Sequence, residues 1–114
     1  MMDTAQEKMQ ELQNLEKSMQ SYSNQKQQLQ AQHIEIESAI SELENTDTSY
    51  KIVGNIMVAS SKDKLKKELN EKKELVENRI STIDKYYTDI QSKYRKLHEE
   101  MMSNLKEGSD NDGK

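Results

Sequence analysis

With 114 residues, a charged fraction of 33% and a hydrophobic fraction of only 32%, the chain can supply one domain but cannot fill a compact globular core. A mean hydropathy of -1.12 and the lack of any run near the ~20 apolar residues of a membrane span exclude a membrane-embedded chain. The net charge of -4 argues against nucleic acid as a general partner, because phosphates require a cationic surface, and without cysteine there is no disulfide framework, thiol nucleophile or Cys-based metal site.

Met1-Met2-Asp3-Thr4-Ala5-Gln6-Glu7 lacks the basic start and apolar run of a signal peptide, so a soluble, cytoplasmic protein is expected. The first predicted element is a helix over about residues 4–44, capped by Asp3 or Thr4, with Glu7 placed as a capping-box partner of Thr4. Along it Leu12, Leu15, Met19, Tyr22, Lys26, Leu29, His33, Ile36, Ile40 and Leu43 alternate in spacings of three and four, the seam of a coiled coil. Low hydropathy alone would suggest disorder, but these apolar residues are periodic rather than scattered, and no proline interrupts them. The nine Gln residues between Gln6 and Gln32 fall among the seam residues, which makes them outer helix surface rather than an aggregation-prone tract.

Asn45-Thr46-Asp47-Thr48-Ser49 clusters side chains that compete for backbone hydrogen bonds, and the helix is predicted to stop there. Over about residues 50–59, Tyr50-Lys51-Ile52-Val53 and Ile56-Met57-Val58-Ala59 read as strands joined by Gly54-Asn55, a turn that needs positive φ at its first central position. Alternation assigns Tyr50, Ile52, Met57 and Ala59 to one face of this hairpin and Lys51, Val53, Ile56 and Val58 to the other. Both faces are mainly apolar. A lone two-stranded hairpin is marginal in water and leaves backbone groups unpaired at its edges, so assembly with hairpins of other subunits into a closed β-barrel is expected.

The second predicted helix covers about residues 61–107, capped by Ser60 or Ser61, with its seam at Leu69, Lys73, Val76, Ile80, Ile83, Tyr87, Ile90, Tyr94, Leu97 and Met101. Each helix of about 40 residues would run roughly 60 Å. The two seams mirror each other about Gly54-Asn55, which sets Leu12 against Leu97, Tyr22 against Tyr87 and Leu29 against Ile80. The fold class is therefore mainly α: a long antiparallel two-helix coiled coil interrupted by one β-hairpin, a single domain over residues 1–107. Residues 108–114, Gly-Ser-Asp-Asn-Asp-Gly-Lys, are expected to be a disordered polar tail.

At the helix ends remote from the hairpin the mirror register gathers Met1, Met2, Ala5, Met9 and Leu12 with Leu97, Met101, Met102 and Leu105. Lys8 and Asn104 occupy seam positions there and should loosen the packing. Flexible Met side chains on a loosely paired surface can repack around many apolar partners. The lysines from Lys62 to Lys73 alternate with Asp63, Glu68 and Glu71, a solvated helix face. His33 lies in the seam and His98 stands beside Glu99 and Glu100 without the spacing of a metal or catalytic motif. No Gly-rich loop can hold a phosphate, and the carboxylates have no cleft to raise their pKa. Neither an enzyme nor a cofactor is expected.

Tyr50-Lys51-Ile52-Val53-Gly54-Asn55-Ile56-Met57-Val58 followed by Ser61-Lys62-Asp63-Lys64-Leu65 resembles the hairpin and second-helix start of β-class prefoldin subunits, and the flanking helices match that family over residues 1 to 107. Gly54-Asn55 is more similar to the archaeal type than to the Gly-Pro common in related eukaryotic subunits, and the single hairpin is unlike the α class, which carries two. The resemblance implies a hexamer of two α-class and four β subunits. It also implies an ATP-independent chaperone that captures unfolded protein clients at coiled-coil tips and passes them to a group II chaperonin. By position, residues 1–12 and 97–105 would meet clients and residues 50–59 would carry assembly. The competing expectation is a structural or tethering coiled-coil subunit of a larger complex.

Overall fold

The computed structural model of the protein describes residues 4–112, with side chains for residues 4–105. In chain order the elements are α1 (Ala5–Glu44), β1 (Ser49–Val53), β2 (Ile56–Ser60) and α2 (Lys62–Asp112). Local chemistry fixes their ends. The Thr4 hydroxyl accepts from the Glu7 amide at 3.1 Å, and the Thr4 carbonyl accepts from the Lys8 amide at 3.0 Å, so Thr4 is the cap of α1. At the other end the Thr46 hydroxyl donates to the Glu42 carbonyl at 3.2 Å, occupying an acceptor that the last helical turn leaves open. Ser61 caps α2 in the same way as Thr4 caps α1, its hydroxyl accepting from the Lys64 amide at 3.2 Å.

The strands pair antiparallel from Ser49 with Ser60 to Val53 with Ile56. Gly54 carries φ of 62°, and Asn55 has no positive φ, as a two-residue turn with its strained position first requires. The sheet has two strands, so each strand keeps one edge unpaired within the chain.

The helices pack in two compact units: Lys26–Thr82, which includes the hairpin, and the early part of α1 to Gln25 with α2 from Ile83 onward. In the hairpin unit Lys26, Leu29, His33, Ile36, Ile40 and Leu43 of α1 and Leu69, Lys73, Val76 and Ile80 of α2 are all buried or half-buried. Leu43 and Val76 keep only 8% and 6% of their surface. In the other unit Leu12, Leu15, Met19 and Tyr22 are covered likewise, as are Ile83, Tyr87, Ile90, Tyr94, Leu97 and Met101. Every seam residue from Leu12 to Leu43 and from Leu69 to Met101 is thus withdrawn from water, whereas Asn104, at a seam position beyond them, is exposed. The antiparallel course is fixed by pairs that run in reverse order along the helices, Glu37 with Lys73 and Glu44 with Lys66 in one unit, Lys8 with Glu100 and Glu16 with Tyr94 in the other.

Two details differ from the sequence reading. Tyr22 meets the ring of Tyr86 rather than Tyr87, with centroids 5.7 Å apart and planes tilted by 42°. Tyr87 occupies the seam itself, and the half-exposed Tyr86 one position earlier lies over its flank. The helix α2 also continues to Asp112, through residues Gly108 to Asp112 that were expected to begin a disordered tail. A helical backbone satisfies its own donors and acceptors without burial, and no proline ends it. Gly113 and Lys114 lie outside the described residues.

Two expectations follow. Leu12→Ala should lower stability by about 2 to 3 kcal/mol in urea unfolding, since it vacates one of the best-covered positions of the seam. Nothing lies within 4 Å of a Cβ built on Gly54, so Gly54→Ala should cost about 1 kcal/mol through φ alone, and Gly54→Asn, which tolerates positive φ, should cost less. Equal losses for Ala and Asn would show that φ is not the constraint.

Candidate functional site

Clustered apolar surface is left uncovered in two regions, one in each unit, while Ile34, Leu75 and Tyr86 are exposed singly along the helices. The first is the hairpin. Ile52 and Met57, paired across one face, are 69% and 66% exposed, and Val53 and Ile56, paired across the other, are 56% and 67% exposed. The faces are those the alternation assigned, and neither is covered. Tyr50, Val58 and Ala59 are exposed as well, beside the Gly54-Asn55 turn. The hairpin does meet its own helices on one side. A groove of about 420 Å³ has Leu43, Leu65 and Leu69 on its helix walls and Tyr50 and Ile52 on its strand wall. Those two strand residues remain more than half exposed, so folding down onto the helices does not satisfy them.

Polar ties hold the hairpin in place. The Ser49 hydroxyl donates to the Ser60 carbonyl at 2.6 Å and closes the open end of the two strands. Lys51 Nζ donates to Glu68 Oε2 at 3.0 Å, linking β1 to α2. This hydrogen bond, reinforced by the charge of Lys51, holds the Glu68 carboxyl below its ordinary value of 4.5 against the opposing effect of desolvation. Glu44 is held low in the same direction by its hydrogen bond and charge contact with Lys66.

The second region is formed by the start of α1 and the end of α2. Ala5, Lys8 and Met9 face Met101, Asn104 and Leu105 around a cavity of about 430 Å³. Met9, Met102 and Leu105 are exposed by 48%, 54% and 64%, and Leu12 and Leu97 lie deeper in the seam. Met1 and Met2, assigned to the same surface from the sequence, lie outside the described residues. Lys8 does not splay outward from its seam position. Its side chain is only 12% exposed, and its Nζ reaches Glu100 Oε1 at 2.9 Å, so its stem serves as cavity wall while its charge is matched.

Cross-helix polar pairs of this kind were not legible from the spacing of apolar residues. Tyr94 donates its hydroxyl to Glu16 at 2.8 Å, a bond that raises the phenol above its ordinary 10.0 by favouring the neutral form. His33 faces a carboxylate on each side, with Nε2 3.0 Å from Glu77 Oε1 across the helices and Nδ1 3.5 Å from Glu37 Oε1 on its own helix. Seam positions filled by polar residues would have betrayed His33, but its partner Glu77 lies off the seam.

Among the described residues no group of three His, Asp or Glu side chains could hold a metal ion, and no helix is long and apolar enough to cross a membrane. What the geometry offers instead is apolar contact: a two-sided hairpin with free edges and a Met-lined helix end. Two long helices that pair antiparallel within each unit and are joined by one two-stranded hairpin define the class of protein. The chain belongs to the prefoldin subunit family, whose model matches residues 6–108. Within the family its likeness is to the β class. It is 33% identical to the prefoldin subunit beta of Archaeoglobus fulgidus over 98 residues, 83% of this chain and 84% of that one. It is 34% identical to that of Methanothrix thermoacetophila over 98 residues, 83% and 82% of the two chains. The crystal structure of the prefoldin beta subunit from Thermococcus strain KS-1 superposes with a TM-score of 0.83 at 29% identity, covering 88% of this chain and 90% of that one.

The Lys51 to Glu68 tie has a pH signature. A carboxyl whose folded value is depressed contributes stability above its unfolded value and loses that contribution as pH falls through the folded one. The hairpin amide signals of residues 50–58 should therefore shift as the pH drops below about 4.5, and Glu68→Gln should remove that transition. An identical titration in the variant would show that another group orients the hairpin.

Proposed function

We propose that the chain is a subunit of an ATP-independent chaperone, a holdase that binds non-native polypeptide at its helix ends and assembles through its hairpin. The observation that carries this reading is the apolar surface exposed together at Met9, Met102 and Leu105 at one helix end, apart from the hairpin and from Ile34, Leu75 and Tyr86, which are exposed singly along the helices. Unfolded chains expose apolar segments, and several such ends in one assembly bind them weakly and together, so that avidity replaces a deep pocket. Capture and release then follow relative affinities and need no nucleotide.

Membership of the family supports the assembly: two α-class and four β subunits, with hairpins joined edge to edge into barrels that cover both faces and remove free edges. Tyr50, Ile52, Val53, Gly54, Asn55, Ile56, Met57, Val58 and Ala59 are the proposed assembly residues. Met1, Met2, Ala5, Met9 and Leu12, with Leu97, Met101, Met102 and Leu105, are the proposed client residues. Delivery to a group II chaperonin in the cytoplasm completes the reading.

The test separates the two regions. A chain lacking residues 1–9 and 101–114, assembled with an α-class subunit, should keep its oligomeric mass and lose suppression of client aggregation measured by light scattering. Full protection by that assembly would reject the client site, and absence of protection by the intact chain would favour the tethering subunit. Ile52→Asp with Met57→Asp should shift the mass to that of the monomer, since each buries a charge in the proposed sheet contact. An unchanged oligomer would reject the hairpin as the assembly surface.

A further inference from the structure

We infer that the helix end containing the cavity selects among clients by charge, favouring apolar segments flanked by lysine or arginine over equally apolar segments flanked by acidic residues. The inference rests on the reading of that end as the client surface and adds to it the chemistry of the client. Its first element is the cavity of about 430 Å³ between Met9 on one helix and Met101 and Leu105 on the other, which accepts apolar side chains without demanding a shape.

The second element is charge. Among the described side chains of residues 4–12 and 97–105 there are four carboxylates, Glu7, Glu11, Glu99 and Glu100, and one cation, Lys8. That cation is already matched, its Nζ lying 2.9 Å from Glu100, with little surface left for a ligand. The other three carboxylates have no cationic partner among the described residues and belong to residues one or two positions along the chain from Lys8, Met9 and Met101, which line the cavity. Two of them, Glu11 and Glu99, are exposed. In the third, the Oε2 atom of Glu7 is withdrawn from water without a hydrogen-bond donor among the described residues, an arrangement that an incoming ammonium or guanidinium would relieve.

This charge is local rather than general. Residues 13–96 hold 13 acidic and 14 basic side chains, so the net charge of -4 for the whole chain comes entirely from the residues on either side of them. Like charges set against one another oppose binding and opposite charges favour it, which discriminates partners of equal apolarity. The same argument disfavours a second copy of this chain as the occupant, because it would bring the same acidic end. It disfavours the flanking segments of the chain too, since residues 1–3 and 106–114 contain four acidic and two basic residues. A segment in which Lys or Arg flanks Leu, Val or Phe fits both elements, its long aliphatic stems extending the apolar contact while its heads reach the carboxylates.

The probes are three unstructured synthetic peptides that share one Leu-, Val- and Phe-containing stretch flanked by lysine, glutamine or glutamate. Binding to the full-length chain assembled with an α-class subunit is read by fluorescence anisotropy. Charge pairs with two exposed carboxylates and one half-buried should give the lysine peptide roughly three- to tenfold tighter binding than the glutamine peptide at low salt, with the glutamate peptide weakest. The gap should close at about 0.5 M salt and in the variant Glu7→Gln, Glu11→Gln, Glu99→Gln, while the glutamine peptide binds that variant and the parent alike. Equal binding of the three peptides would overturn the selectivity and leave the client surface standing, whereas binding of none would overturn both. A lysine preference that survives in the triple variant would place its origin elsewhere. Loss of peptide binding as protein concentration rises, with a matching gain in mass, would make a second copy the occupant and overturn the inference too.

Discussion

Each helix carries one narrow apolar stripe, and the two stripes can cover each other only if the chain reverses without losing register. The reversal is concentrated in Gly54, whose φ of 62° most side chains would resist. The strands pair as Val53 with Ile56 and Ser49 with Ser60, so α1 and α2 join the hairpin at paired ends, and the seam residues of both helices are covered. A one-residue slip would turn every strand side chain to the opposite face and carry the seams out of phase. Turn, ladder and heptads thus specify the same register independently, the kind of agreement between levels that makes one fold strongly preferred.

A two-helix seam covers only what lies along it, and the residues beyond its reach are the ones left for association. The hairpin has apolar residues on two faces, and its own helices supply only the walls of the groove at Leu43, Leu65 and Leu69. A second uncovered cluster sits where α1 begins and α2 nears its end, with Lys8 tied back to Glu100 so that its charge does not compete for the space. In a larger globular protein a third layer would have covered both regions. Here economy of core and availability of surface are one property.

Most of this was legible in the sequence for a simple reason: heptad spacing and strand alternation are backbone periods, and a backbone period is visible in one dimension. Every seam position from Leu12 to Met101 could be assigned from spacing, and the hairpin faces followed from alternation. What escaped depends on side-chain reach. Long polar side chains choose among partners one turn apart, so Glu77 for His33, Glu16 for Tyr94 and Tyr86 for Tyr22 were not determined by position. The helix end was set near residue 107 from composition, which measures the capacity for burial, whereas the backbone of α2 runs on to Asp112. Lys8 was read as a disruption from its residue type, whereas its long stem lets it act as wall and ion partner together.

The ties between the helices span very different lengths of chain. The last turn of α1 has no basic residue of its own, and its Glu44 carbonyl is reached instead by Lys62 Nζ at 3.1 Å, across 18 positions of sequence. Lys8 and Glu100 stand 92 positions apart. Closing the short loop forfeits less entropy than closing the long one, and once the middle of the chain is joined each further pair closes only a small additional loop. Loop entropy alone therefore makes the tie beside the hairpin the cheaper one to close and the tie of Lys8 with Glu100 the costlier.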